Sequence, residues 1–112
     1  MFRLLSSVPV LMALLVFSSD IRAEEVFWID VRTAEEYQAE HVPQATNIPY
    51  TEIAERIAEV TDNKDAPIVV YCRSGRRSGI AMEALNASGY TNVSNAGGLQ
   101  DALAKAGEST AQ

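Results

Sequence analysis

Apolar residues along the chain fall in short runs separated by polar stretches, and the period changes from run to run. Val26-Phe27-Trp28-Ile29-Asp30-Val31 is nearly continuous and rich in β-branched and aromatic residues, which predicts a buried strand with Trp28 in the core. Thr33-Ala34-Glu35-Glu36 has capping-box spacing, with Thr33 as N-cap and Glu36 reaching back, so a short helix is expected to about Glu40. A brief extended piece around Thr46-Asn47-Ile48 stops at Pro49. From Thr51 the apolar Ile53, Ala54, Ile57 and Val60 recur at helical spacing while Glu52, Glu55, Arg56 and Glu59 take the other face, which predicts an amphipathic surface helix. Asp62 to Pro67 is turn chemistry leading into Ile68-Val69-Val70-Tyr71-Cys72, apolar on both faces and so expected at the centre of a parallel sheet. A loop is expected over Arg73 to Ser78, with Gly75 and Gly79 in the turn. Ile80, Ala81, Ala84, Leu85 and Ser88 then form a helical face that Gly89 stops. A short strand near Asn92-Val93-Ser94, the pair Gly97-Gly98, a last helix from about Leu99 to Ala106, and a frayed end from Glu108 complete the pattern. Strands alternating with helices at these spacings predict an α/β domain with helices on both faces of a mainly parallel sheet.

The first residues are set apart from this pattern. Basic Met1-Phe2-Arg3 leads into the apolar run Leu4 to Phe17, broken only by two serines and Pro9, and small residues close the segment at Ala23. That architecture is a secretory leader, and the expected division is a signal peptide over 1–23 and one domain over 24–112, with cleavage after Ser18 as the alternative. The run is shorter than the roughly 20 residues of a membrane span, and charged Asp20, Arg22, Glu24 and Glu25 follow it. An exported location, in the periplasm or otherwise outside the cytoplasm, without membrane attachment after cleavage is the expectation. Losing Arg3, Arg22 and Asp20 takes the 9 basic and 15 acidic residues of the chain to 7 and 14, a net charge of −7. Nucleic acid and anionic membranes are poor partners for such a body. Yet Arg73, Arg76 and Arg77 lie within five positions of one another, so a local field opposes the global one.

Cys72 is the single cysteine, so an intrachain disulfide is excluded, and with His41 it is too small a set for zinc. An intermolecular bridge, an inert thiol and a reactive thiol remain open for it. Its surroundings favour the last. A loop between a strand end and a helix start points backbone N–H groups inward, and the helix adds partial positive charge, so the enclosed space favours an anion and a thiolate. Burial alone explains neither the glycines, the arginines, nor Ser74 and Ser78.

Cys72-Arg73-Ser74-Gly75-Arg76-Arg77-Ser78 resembles the active-site loop of the rhodanese family. Four further segments match in order: Ile29-Asp30-Val31-Arg32; Tyr37 through His41-Val42-Pro43; Ala45-Thr46-Asn47-Ile48-Pro49; and Gly89-Tyr90 with Asn95-Ala96-Gly97-Gly98. With its leader the chain is most similar to the small periplasmic members of the phage-shock-protein E type. The resemblance implies a rhodanese-like three-layer α/β/α domain with a five-stranded, mainly parallel sheet. It implies a thiosulfate sulfurtransferase that needs no cofactor or metal, because sulfur rides on Cys72 as a persulfide. The donor would be a small anion such as thiosulfate and the acceptor cyanide, an external thiol or a protein, since no second cysteine is present to resolve the persulfide. Arg73, Ser74, Gly75, Arg76, Arg77 and Ser78 would bind the donor and hold the sulfur. Asp30 and Arg32 either support the loop or pair with each other, and His41 belongs to a structural segment. Gln44 stands where the family often has glycine. Ala102 replaces a common aromatic, which suggests a looser C-terminal end.

Two other functions share this pattern. A phosphatase or arsenate reductase of the related cell-cycle-phosphatase type uses the same fold, but its loop places seven residues and ends on an oxyanion-clamping arginine. Counting from Cys72, Arg77 is sixth and Ser78 seventh. A noncatalytic persulfide carrier would have the same residues as the enzyme.

Overall fold

The structure is a computed structural model that describes residues 25–110; the leader expected over Met1–Ala23 lies outside the described residues. Four strands, β1 (Phe27–Asp30), β2 (Thr46–Asn47), β3 (Ile68–Tyr71) and β4 (Val93–Asn95), form a parallel sheet in the order β2-β1-β3-β4. The sheet therefore has four strands among the described residues where five were implied. In register, Ile29 stands beside Val70 and Asp30 beside Tyr71. The chain leaves β1 toward one edge through α1 (Ala34–Ala39), returns across the sheet through α2 (Ile53–Arg56), and continues outward through α3 (Arg76–Ala87) to β4 and α4 (Leu99–Thr110).

Alternation along the strands builds two cores. Ile29, Val31, Ile68, Val70 and Cys72 pack with Ile53 and Ile57, and with Ala81 and Leu85 of α3. On the opposite face Trp28 and Tyr71 pack with Val42, Ala45, Ala102 and Ala106, with Tyr37 of α1 and Leu99 and Leu103 of α4 against them. Helices thus cover both faces, the three-layer arrangement expected of right-handed crossovers. Each fully buried Ile or Val contributes about 1.5–3 kcal/mol over an exposed one.

The capping box forms as expected: Thr33 Oγ1 accepts from Glu36 N, and Glu36 reaches back to Thr33 N. Gly89, at φ +99°, closes α3 with Gly89 N bonded to Asn86 O and Tyr90 N to Leu85 O, while Tyr90 and Leu85 share one core. Three expectations need correction. The helix from Thr51 is a broken segment, with 3₁₀ turns at Tyr50–Glu52 and Ile57–Glu59 flanking the four residues of α2. Neither it nor the turn before it has a side-chain cap, and β-branched Ile53, Ile57 and Val60 weaken a helix, so burial of the two isoleucines holds it. Gly79 is not in the turn but inside α3, its N–H bonded to Gly75 O. Helix α4 runs past the expected end near Ala106, through Gly107 to Thr110, and Ala102 is fully buried.

Candidate active site

Strands β1 and β3 are the neighbours at which the winding reverses, and ligands of open α/β sheets collect beyond their C-terminal ends. Cys72 stands there, immediately after β3, its N–H bonded to Gly97 O at 3.0 Å. The loop is shorter than expected, because α3 begins at Arg76 and takes Arg76, Arg77 and Ser78 into its first turn. Gly75 makes that sharp entry at φ +100°, a conformation that costs a residue with a Cβ. The curled backbone aims Gly75 N–H at Cys72 Sγ, 2.9 Å away, and Ser78 Oγ lies 3.4 Å from the same sulfur.

Burial pushes the Cys72 thiol up, while the Ser78 hydroxyl and then the N–H groups of Ser78, Ser74 and Gly75 pull it down; the donors prevail and the thiol titrates at about 7. The helix start of α3 acts in the same direction. The pair Gly97-Gly98 lets the α4 entry press against the loop: a Cβ on Gly98 would stand 2.6 Å from Arg73 O.

The three arginines part company. Arg73 and Arg76 are exposed at the rim. Arg77 is half-buried and turned to α1, where its Nη1 and Nη2 donate to Glu36 Oε1 and Oε2 at 2.9 and 3.1 Å. That fork holds the Glu36 carboxyl well below its usual range, at about 2. Ser74 is exposed at the rim and Ser78 is buried beneath it.

Asp30 and Arg32 pair with each other. Asp30 accepts from Arg32 N at 2.9 Å, Arg32 Nη2 at 2.7 Å and the Tyr71 hydroxyl at 2.7 Å, and Arg32 also donates to Glu40 O at 2.6 Å. Neither side chain hydrogen-bonds to Cys72 or its loop; they brace the end of β1, where Asn47 Nδ2 donates to the carbonyls of both. His41 stacks on Tyr37, with ring centroids 3.7 Å apart, and its Nδ1 lies 2.6 Å from Tyr37 O, a structural engagement.

Three residues at or behind the site escaped functional notice in the sequence: Tyr71, which links Asp30 to Val42 N; Glu36, read only as a cap; and Asn95, seen only as part of a motif. Asn95 Oδ1 accepts from Ser78 Oγ at 2.7 Å and from Gly97 N at 2.8 Å, and its Nδ2 donates to Gly75 O at 3.0 Å. Its place two residues before the double glycine was the available signal.

The arrangement is a low-pKa thiol on the floor of an amide cradle, able to attack an electrophilic centre and to hold an anionic group there. Residues 16–105 match the family model of the rhodanese-like domain. The chain is 54% identical over 87 residues to the thiosulfate sulfurtransferase PspE of Escherichia coli, covering 78% of this chain and 83% of that protein. Among solved structures, an E. coli rhodanese with anions superposes with a TM-score of 0.67 at 53% identity, over 69% of this chain and 91% of that one. A human single-domain sulfurtransferase superposes with a TM-score of 0.61 at 27% identity, over 71% and 82%.

Proposed function

Because this chain belongs to the rhodanese family and is a sulfurtransferase, we propose that Cys72 carries the sulfur, taking it from thiosulfate as a persulfide and passing it to cyanide or an external thiol. The observation that carries this reading is the pair of donors on Cys72 Sγ, Gly75 N–H at 2.9 Å and the Ser78 hydroxyl at 3.4 Å, around a thiol that titrates at about 7. The thiolate attacks the outer sulfur of the donor, the donor's S–S bond breaks, and sulfite leaves with the bonding pair. The terminal sulfur of the persulfide then carries the charge, and the inward N–H groups of the loop are the donors on hand to hold it. An acceptor nucleophile attacks that terminal sulfur and returns the bonding pair to Cys72 Sγ. No cofactor takes part in either half-reaction.

Arg73 and Arg76 draw the doubly charged donor to the rim, while Ser74, Gly75 and Ser78 shape the cradle. Arg77 sets the loop against α1 through Glu36. Its commitment to Glu36 weighs against an oxyanion clamp of the phosphatase kind. Asp30 and Arg32 support the site by fixing the end of β1. Export rests on the leader-like pattern of Met1–Ala23, and among the described residues no helix is long and apolar enough to cross a membrane.

Intact mass of the chain recovered from its host, before and after incubation with thiosulfate, tests both parts. The expected masses correspond to a start at or near Glu24 and then to one added sulfur atom, absent in Cys72→Ser. A full-length chain overturns export, and a sulfur adduct on Cys72→Ser overturns the nucleophile.

A further inference from the structure

Asn95 ends β4, and its side-chain amide joins three parts of the cradle. Its Oδ1 takes the Ser78 hydroxyl from the first turn of α3 and Gly97 N–H from the glycine corner, and its Nδ2 holds the carbonyl of Gly75. The Ser78 hydroxyl has one proton and three acceptors within reach: Asn95 Oδ1 at 2.7 Å, Gly75 O at 3.1 Å and Cys72 Sγ at 3.4 Å. A hydroxyl rotates and serves one acceptor at a time. Distance favours Asn95, whereas a charged sulfur favours itself, because charge-assisted hydrogen bonds are roughly twice as strong as neutral ones. The balance between them follows the charge on Sγ.

We propose that Asn95 is a positioning residue for sulfur transfer, holding the Ser78 hydroxyl while Cys72 carries sulfur and yielding it to Cys72 Sγ when the thiolate re-forms. The inference rests on the reading of Cys72 as the sulfur carrier. In loading, Sγ spends its charge on the new S–S bond and becomes a neutral divalent sulfur, a weak acceptor, so the hydroxyl turns to Asn95 Oδ1. In unloading, that S–S bond breaks, the pair returns to Sγ, and the hydroxyl swings back to stabilise the departing thiolate. The proton stays on Ser78 Oγ throughout; only its direction changes. An amide suits the place because it accepts from Ser78 and Gly97 while donating to Gly75 O. A carboxylate would lose that donation and add a negative charge beside the thiolate.

The pH profile of Cys72 alkylation by iodoacetamide tests this without any sulfur chemistry. The charged groups around the site are the same in every variant: Arg77 backed by Glu36, Arg73 and Arg76 on the rim, and Asp101 of α4 against Gly97. Asn95→Leu removes the nearest competing acceptor and leaves Gly75 O at 3.1 Å, so Ser78 donates to Sγ more of the time and the midpoint falls, by at most about half a pH unit. In a Ser78→Ala background the same substitution produces no fall. A purely structural Asn95 gives the opposite: loosening Gly75 and Gly97 takes amide donors from Sγ, and the midpoint rises with or without Ser78. A rise, an unmoved midpoint, or a fall that persists in Ser78→Ala overturns the proposal. If Asn95→Leu does not fold, the side-chain carbonyl ¹³C resonance of Asn95 is followed through the Cys72 titration in the native chain and in Ser78→Ala. A shift in the native chain that Ser78→Ala abolishes supports the switch, and equal shifts overturn it. Sulfur uptake from thiosulfate, read by intact mass on the same proteins, decides the carrier reading separately.

Discussion

At the scale of single residues, a Cys72 that carries the sulfur, as proposed, sets the working pH through its thiol. Its titration at about 7 lies below its ordinary 9.0, so the folded state favours the thiolate. Stability from this group is fully present above about pH 9 and is lost as pH falls through about 7. Persulfide formation follows the thiolate: single-turnover loading from thiosulfate is expected to rise about tenfold per pH unit below 7 and to level off above it. Quenched-flow mass analysis across pH checks this, and a midpoint near 9 would mean that the donors on Sγ leave its charge unaided. Cys72 was legible in the sequence because its chemistry is local: strand end, glycine and helix start all lie within a few positions. Glu36 and Asn95 were not, because each reaches the loop across the fold, over 41 residues to Arg77 and 17 to Ser78. No spacing rule links such pairs until the sheet brings α1 and β4 beside α3.

Among the elements, β1, β3, the capping box and the Gly89 stop were legible because each carries its own signal of period or turn chemistry. The segment after Thr51 was misread because a helical apolar stripe fits α-helix and 3₁₀ turns alike, and only packing of Ile53 and Ile57 decides between them. The end of α4 was misread for a related reason: Gly107 signals a stop, yet Ala102 and Ala106 bury the helix on both sides of Leu103 and carry it onward. The two glycines of this region invite opposite outcomes. An added Cβ meets nothing within 4 Å at Gly107, so Gly107→Ala is expected to stabilise by about 0.5–1 kcal/mol through helix propensity. At Gly98 the same atom would stand 2.6 Å from Arg73 O, which is backbone and cannot rotate aside, so Gly98→Ala costs about 1–3 kcal/mol and displaces the loop. Thermal unfolding separates them, and Gly98→Ala should also lose most of its persulfide formation. Full loading by Gly98→Ala would show that the corner does not set the cradle.

For the whole molecule, the proposed use of thiosulfate raises the question of how an acidic body receives a doubly negative donor. The chain carries −6 overall, and its one dense basic stretch is the Cys72 loop. Of the three arginines there, Arg77 is neutralised by Glu36, so the outward field at the mouth comes from Arg73 and Arg76. Exposed charges are screened over a Debye length of about 10 Å at 0.1 M salt, and thiosulfate must cross that layer to reach the cradle. Loading is therefore expected to slow as salt rises, whereas attack by neutral hydrogen cyanide on the persulfide, measured below the cyanide pKa, gains nothing from the field. Replacing Arg73 and Arg76 together by Ala should slow loading roughly three- to tenfold at low salt, about 0.7–1.4 kcal/mol, and flatten its salt dependence, with unloading nearly unchanged. Arg77→Ala should behave differently. It frees the Glu36 carboxylate, whose pKa then returns from about 2 toward its usual range, and it loosens the start of α3 from α1, so its loss appears in both half-reactions and in thermal stability. Single-turnover loading and unloading across a salt series distinguishes the two. Equal slowing of both steps by the Arg73 and Arg76 pair would remove the rim from donor recognition and leave the amide cradle to select the donor alone.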